Sequence, residues 1–173
     1  MLYQLLTKQA KRYGEKIAIA GQERSLTFNQ LLEETNATAA HFQSRGAKPG
    51  DPIVLGMPPS PEFYVAFYAA AALGMIILPV LPSGRIPQLV ADREPLCAVG
   101  SEQFLARARR LCTTVKICIG CDAKSGIMFR PKGSRFIKAG IFRDECVIGV
   151  SSSGTTGTPA IYYRSQDLLV RRA

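Results

Sequence analysis

Residues 63–81 form a run of 19 amino acids without a charge. No other feature constrains the chain more, because such a run must lie either in a membrane or deep in a protein core. Gly74 and Pro79 interrupt it. They divide it into a helix over 61–73 and a strand over 75–80, each too short to span a bilayer, so no transmembrane segment is expected. Ser60 is a good N-cap, Pro61 suits the first helical position, and Gly74 ends the helix. The helix is apolar nearly all round, as a helix buried between a sheet and other protein must be. With a strand over 52–56, the segment 52–80 reads as a β-α-β unit whose strands are parallel and whose crossover is right-handed. The fold class that follows is α/β, a mainly parallel sheet flanked by helices.

The remaining segments fit that class. Leu2, Leu5, Leu6, Ala10 and Tyr13 fall at helical spacing before Gly14, and 16–20 with 24–26 read as a hairpin through Gly21-Gln22-Glu23. Thr27 and Gln30 form a capping box. The helix they open carries Phe28, Leu31, Leu32, Thr35, Ala39 and Phe42 on one side and ends near Arg45-Gly46. His41, the one histidine, reads as a surface residue or a charge partner for that helix end. Beyond Leu81, a short helix over 86–91, a strand over 96–99, a helix over 103–111 and a strand over 115–119 make a second β-α-β unit. An edge hairpin is expected from 127–130 and 135–138, with Lys124, Arg130, Lys132, Arg135 and Lys138 on its solvated face. Cys118-Ile119-Gly120-Cys121 has C-x-x-C spacing, but Val115, Ile117 and Ile119 alternate as one face of a strand. Cys118 then reads as a packed residue, not as a zinc or redox ligand.

The chemistry concentrates near the end. An apolar, β-branched strand over 146–150 delivers Ser151-Ser152-Ser153-Gly154-Thr155-Thr156-Gly157-Thr158-Pro159. Gly154 and Gly157 permit close backbone approach to phosphate oxygens, and the hydroxyls of Ser151, Ser152, Ser153, Thr155 and Thr156 add donors to the backbone N–H groups. A flexible linker is the plainer alternative, but a buried strand before the run and a rigid Thr-Pro after it speak against one. A Walker A loop is excluded, since Gly149 and Gly154 have its spacing but Thr155 stands where its lysine must be. A nucleophile elbow is excluded as well: no serine has a glycine two residues away on both sides, and His41 is far off in sequence.

Residues 152–159 resemble the Ser/Thr-Ser-Gly-Thr-Thr-Gly-x-Pro-Lys signature of the AMP-forming adenylating enzymes, the superfamily of acyl-CoA synthetases, aryl acid ligases and peptide-synthetase adenylation domains. Leu26-Thr27-Phe28-Asn29-Gln30-Leu31 and Gly50-Asp51-Pro52-Ile53-Val54 are similar to its upstream motifs. Ser60-Pro61-Glu62-Phe63, Ala72-Leu73-Gly74 and Leu78-Pro79-Val80 follow the same order. The resemblance implies that a carboxylic acid joins the α-phosphate of ATP, pyrophosphate leaves, and the acyl group passes from the acyl-adenylate to a thiol of CoA or of a carrier-protein phosphopantetheine. Ser152, Ser153, Gly154, Thr155, Thr156 and Gly157 would hold the β- and γ-phosphates, with Mg²⁺ sharing the charge neutralisation. No catalytic residue and no metal ligand is assigned. Ala160 departs from the signature, which has lysine there, and Gln166 stands where many members carry a histidine beside the acyl pocket. Arg164 is a candidate compensating charge.

The resemblance covers only the family's N-terminal part, and the segments it places later are absent from these residues: the adenine- and ribose-binding parts, the Mg²⁺-associated glutamate, the hinge and the C-terminal domain with its lysine. Residues 1–173 are therefore expected to be the truncated N-terminal part of an AMP-binding domain, catalytically silent alone. The alternative is a binding or assembly module of the same fold, favoured by Ala160. A truncated domain should expose apolar surface and self-associate. The net charge of +9 comes from scattered Lys and Arg without a zinc-finger, basic-zipper or RNA-binding pattern, so anionic ligands are expected and nucleic acid is not. Five cysteines, an odd number without a secretory signal, point to reduced thiols in the cytoplasm.

Overall fold

The computed structural model describes residues 2–81, 86, 88–122, 126–127, 147–151 and 161–166. An N-terminal layer comes first: α1 (Leu2–Tyr13), the antiparallel pair β1 (Ile17–Ala20) and β2 (Ser25–Thr27), and α2 (Phe28–Ser44). Thr27 caps α2 through the reciprocal bonds that the sequence implied, its hydroxyl accepting from the Gln30 N–H at 3.2 Å and its own N–H donating to Gln30 Oε1 at 2.9 Å.

The chain then enters the main sheet. β3 (Pro52–Gly56), α3 (Pro61–Leu73) and β4 (Ile76–Pro79) form the first parallel unit. Ser60 accepts from the Phe63 N–H, Pro61 opens α3, and Gly74 closes it at φ 72°, in the left-handed region. α4 (Gln88–Ala91) leads to β5 (Cys97–Gly100), and α5 (Glu102–Leu111) to β6 (Ile117–Asp122), parallel to β5. β7 (Gly126–Ile127) turns back antiparallel along the end of β6, and the rest of the expected edge hairpin lies outside the described residues, as does 167–173. β8 (Val147–Ser151) joins β4 in parallel, and β9 (Ile161–Ser165) pairs antiparallel with β8. Among the described residues the strand order is β7-β6-β5-β3-β4-β8-β9.

Alternation along the parallel strands feeds two cores. Ile53 and Leu55 of β3, Ile77 of β4, Cys97 and Val99 of β5, and Ile117 and Ile119 of β6 pack beneath α1, α2 and α3. Val54, Leu78 and Ala98 face the other way, against Ile86, Val90, Phe104, Leu105 and Ala108. Both faces are thus covered, which is why the strands are apolar throughout. Arg24, just before β2, ties the layer to α3: it makes two 2.8 Å bonds to Glu34 of α2 and one of 2.7 Å to the buried Glu62 of α3. The Glu34 carboxylate first, and then Glu62, hold its guanidinium charged against the opposing effect of burial.

Candidate phosphate-binding site

Open α/β sheets bind ligands beyond the carboxyl ends of their strands, at the point where chain connections diverge. β3 connects toward β4 and β5 toward β6, so that point lies between Gly56 and Gly100, which are register partners. It is filled. The ring of Phe104, fully buried on α5, lies over both glycines, and a Cβ on Gly100 would come within 2.6 Å of it. On the same side, one strand beyond β4, lies the end of β8.

There, Ser151 is the register partner of Ile161. The run 152–160 therefore leaves and rejoins the sheet at adjacent positions about 5 Å apart, on the side where the parallel strands end. Ser152, Ser153, Gly154, Thr155, Thr156, Gly157 and Ala160 all lie outside the described residues. What the structure defines is their mounting. Gly149, which has Walker-loop spacing to Gly154, is a packing residue: a Cβ there would meet Leu78 at 2.6 Å and Ile161 at 2.8 Å. A larger residue there would force the Leu78 and Ile161 side chains of the two flanking strands to shift. The donor set of the run, hydroxyls and backbone N–H groups without a cation at position 160, suits a polyphosphate that brings its own counter-ion.

β9 escaped sequence reasoning, although Ile161-Tyr162-Tyr163 has strand composition. Its alternation of half-buried and exposed residues sets Tyr162 and Arg164 outward. Arg164 pairs with Ile148, three residues down the strand from Ile161, or about 10 Å from the mouth of the run. Gln166, whose role neither composition nor periodicity signals, is an anchor: it is 4% exposed, its Oε1 accepts from the Leu2 N–H at 3.0 Å, and its Nε2 donates to the Ala71 carbonyl at 3.1 Å. The exit of β9 is thereby bonded to the start of α1 and the end of α3.

His41 requires a correction. It is 6% exposed, not a surface residue, and burial first and then the Arg45 charge lower its pKa. Cys118 is half-buried between the buried Ile117 and Ile119, and Cys97 and Cys112 are free thiols whose pKa values burial raises. Among the described residues no cluster of three or more His, Cys, Asp or Glu could hold a metal ion, and no helix is long and apolar enough to cross a membrane.

The described elements form a mainly parallel α/β sheet, and a hydroxyl- and glycine-rich run follows the end of β8 in the sequence. Residues 6–171 match the AMP-binding enzyme family, and the chain belongs to it. The chain is 29% identical over 160 residues to an uncharacterized acyl-CoA ligase, YtcI, of Bacillus subtilis (strain 168), over 84% of this chain and 30% of that protein. It is 24% identical over 171 residues to enterobactin synthase component F of Escherichia coli (strain K12), over 97% of this chain and 13% of that one. The inhibitor-bound N-terminal domain of FACL13 from Mycobacterium tuberculosis has the same fold, with a TM-score of 0.74 at 23% identity over 95% of this chain and 44% of that one. The chain thus spans less than a third of the length of these two curated relatives.

Proposed function

We propose that the chain supplies the phosphate-loop part of an ATP-dependent, AMP-forming carboxylate ligase of the acyl-CoA synthetase type. Residues 1–173 would be the N-terminal part of its AMP-binding domain. The pairing of Ser151 with Ile161 carries the reading, since the two residues that flank the signature run are neighbours on the side where the parallel strands end, which supports a ligand-binding role for the run. Ser152, Ser153, Gly154, Thr155, Thr156 and Gly157 would hold the β- and γ-phosphates of ATP through hydroxyl and backbone donors. Bound Mg²⁺ would supply the charge neutralisation that Ala160 does not. The carboxylate and the thiol acceptor, CoA or a carrier protein, would meet the adenylate in the whole enzyme, in the cytoplasm.

The chain by itself is catalytically silent in this reading, because one loop lacks the adenine- and ribose-binding groups that the resemblance places later. AMP and pyrophosphate release from ATP·Mg²⁺, assayed with the purified 173 residues and a set of carboxylic acids, should stay at background. Sustained turnover would overturn this. Ala160 favours a second reading, a binding or assembly module of the same fold that retains the run without the lysine; such a module would gain no ligase activity when the rest of an adenylating domain is supplied.

A further inference from the structure

We propose that the groove along the outer side of β6 is a separate anion site, for a small molecule that carries a phosphate or carboxylate on an apolar body. The groove has a volume of about 490 Å³, within the range of small-molecule sites, and a smaller recess of about 200 Å³ shares its basic residues. Arg45 from the end of α2 and Arg109 from the last turn of α5 line both spaces, Lys116 just before β6 lines the recess, and among the described residues Glu102, lining the groove, is the one carboxylate. Each helix end offsets about half a positive charge. Over the groove and the recess together, with both ends and Glu102 set against the three cations, positive charge remains. Among the described residues neither Arg45 nor Lys116 makes an ion pair. Arg109 is oriented, its Nε donating to Cys118 Sγ at 3.2 Å, and a guanidinium held in place presents a planar fork to an oxyanion. Leu105 and Ile119 supply the apolar wall. In the sheet order, β6 stands four strand spacings from β8, about 19 Å, so the groove is not part of the site at 152–160.

His41 lines the groove and is the one histidine of the chain, which makes its ring a local reporter. Among the described residues, the charged and titratable groups around the groove and its recess are, besides His41, Arg45, Glu102, Arg109, Lys116 and Cys118. The test is NMR of the full chain carrying isotope-labelled histidine, titrated with phenyl phosphate as the probe. Saturable displacement of the His41 resonance is expected, together with a rise in its pKa, because a bound dianion offsets the Arg45 charge. Benzyl alcohol, the uncharged counterpart, should do neither. Arg45→Gln and Arg109→Gln should each weaken phenyl phosphate about tenfold, as loss of a charge-assisted hydrogen bond does; with two variants, failure of one to fold does not remove the test. No saturable shift, an equal shift with benzyl alcohol, or affinity unchanged in both variants would overturn the proposal. Inorganic phosphate binding as tightly as phenyl phosphate would overturn the assignment of an apolar body. None of these outcomes depends on ATP binding at 152–160.

Discussion

Gln166→Met tests whether the exit of β9 is held as described. Methionine preserves the length and flexibility of the side chain while removing both polar atoms, so the packing stays and the two hydrogen bonds go. The 3.0 Å bond from the Leu2 N–H satisfies one of the orphan donors in the first turn of α1. The 3.1 Å bond to the Ala71 carbonyl matters less, because that oxygen also accepts from the Gly74 N–H at 3.2 Å. At roughly 1 kcal/mol net per bond, with the second discounted, the loss should be about 1.5 kcal/mol. Gln166→Glu should be worse. It keeps the acceptor for Leu2 but sets a carboxylate oxygen against the Ala71 carbonyl at a position 4% exposed, a cost of about 3 kcal/mol. Urea unfolding followed by circular dichroism, with the slope unchanged, measures both. A Glu variant as stable as the Met variant, or a Met variant within about 0.5 kcal/mol of the parent, would refute the anchoring role.

Three further perturbations probe other parts of the account. Arg24→Met leaves the Glu62 side chain, 6% exposed, without its cation, and should cost about 3 kcal/mol, the low end for such pairs because Arg24 is 25% exposed. The double variant Arg24→Met/Glu62→Met should recover most of that in urea unfolding, and simple additivity would contradict the coupling. The pKa of His41 is lowered by folding, so the unfolded chain takes up a proton near about pH 6.5 that the folded chain refuses. Stability should therefore fall as pH drops through that value and level off below the folded pKa. In His41→Gln that component should vanish, and equal pH slopes in the two proteins would refute the assignment. Val150 and Tyr162, register partners that are 54% and 57% exposed, form the apolar surface through which self-association is expected. Tyr162→Ser should shift sedimentation toward monomer; association at unchanged strength would place the contact elsewhere.

Much of the fold was legible because its punctuation is local. Ser60, Pro61 and Gly74 fix both ends of α3 by their own chemistry, and Thr27 with Gln30 fixes the start of α2. The parallel pairing of β3 with β4 and of β5 with β6 then follows from the helical crossover that joins each pair. What escaped depends on residues distant in sequence. β9 is a strand because β8 pairs with it. Gln166 owes its role to Leu2, 164 residues away, and the glycines at 56 and 100 owe theirs to Phe104. The burial of His41 was hidden because five successive residues near the end of α2, Thr38 to Phe42, are all buried, so periodicity carries no information there. At the candidate site the run, its donors and the strand before it were legible in the sequence, and the structure added β9 and its pairing with β8.

Calorimetric titration of the 173-residue chain with ATP·Mg²⁺, repeated on Ala160→Lys, tests the central claim most directly. If 152–160 is a phosphate loop short of one cation, the lysine should tighten binding about tenfold or more, the effect of one charge-assisted hydrogen bond. Binding unchanged by the lysine, or no binding in either protein, would contradict the assignment of these residues to the phosphates of ATP.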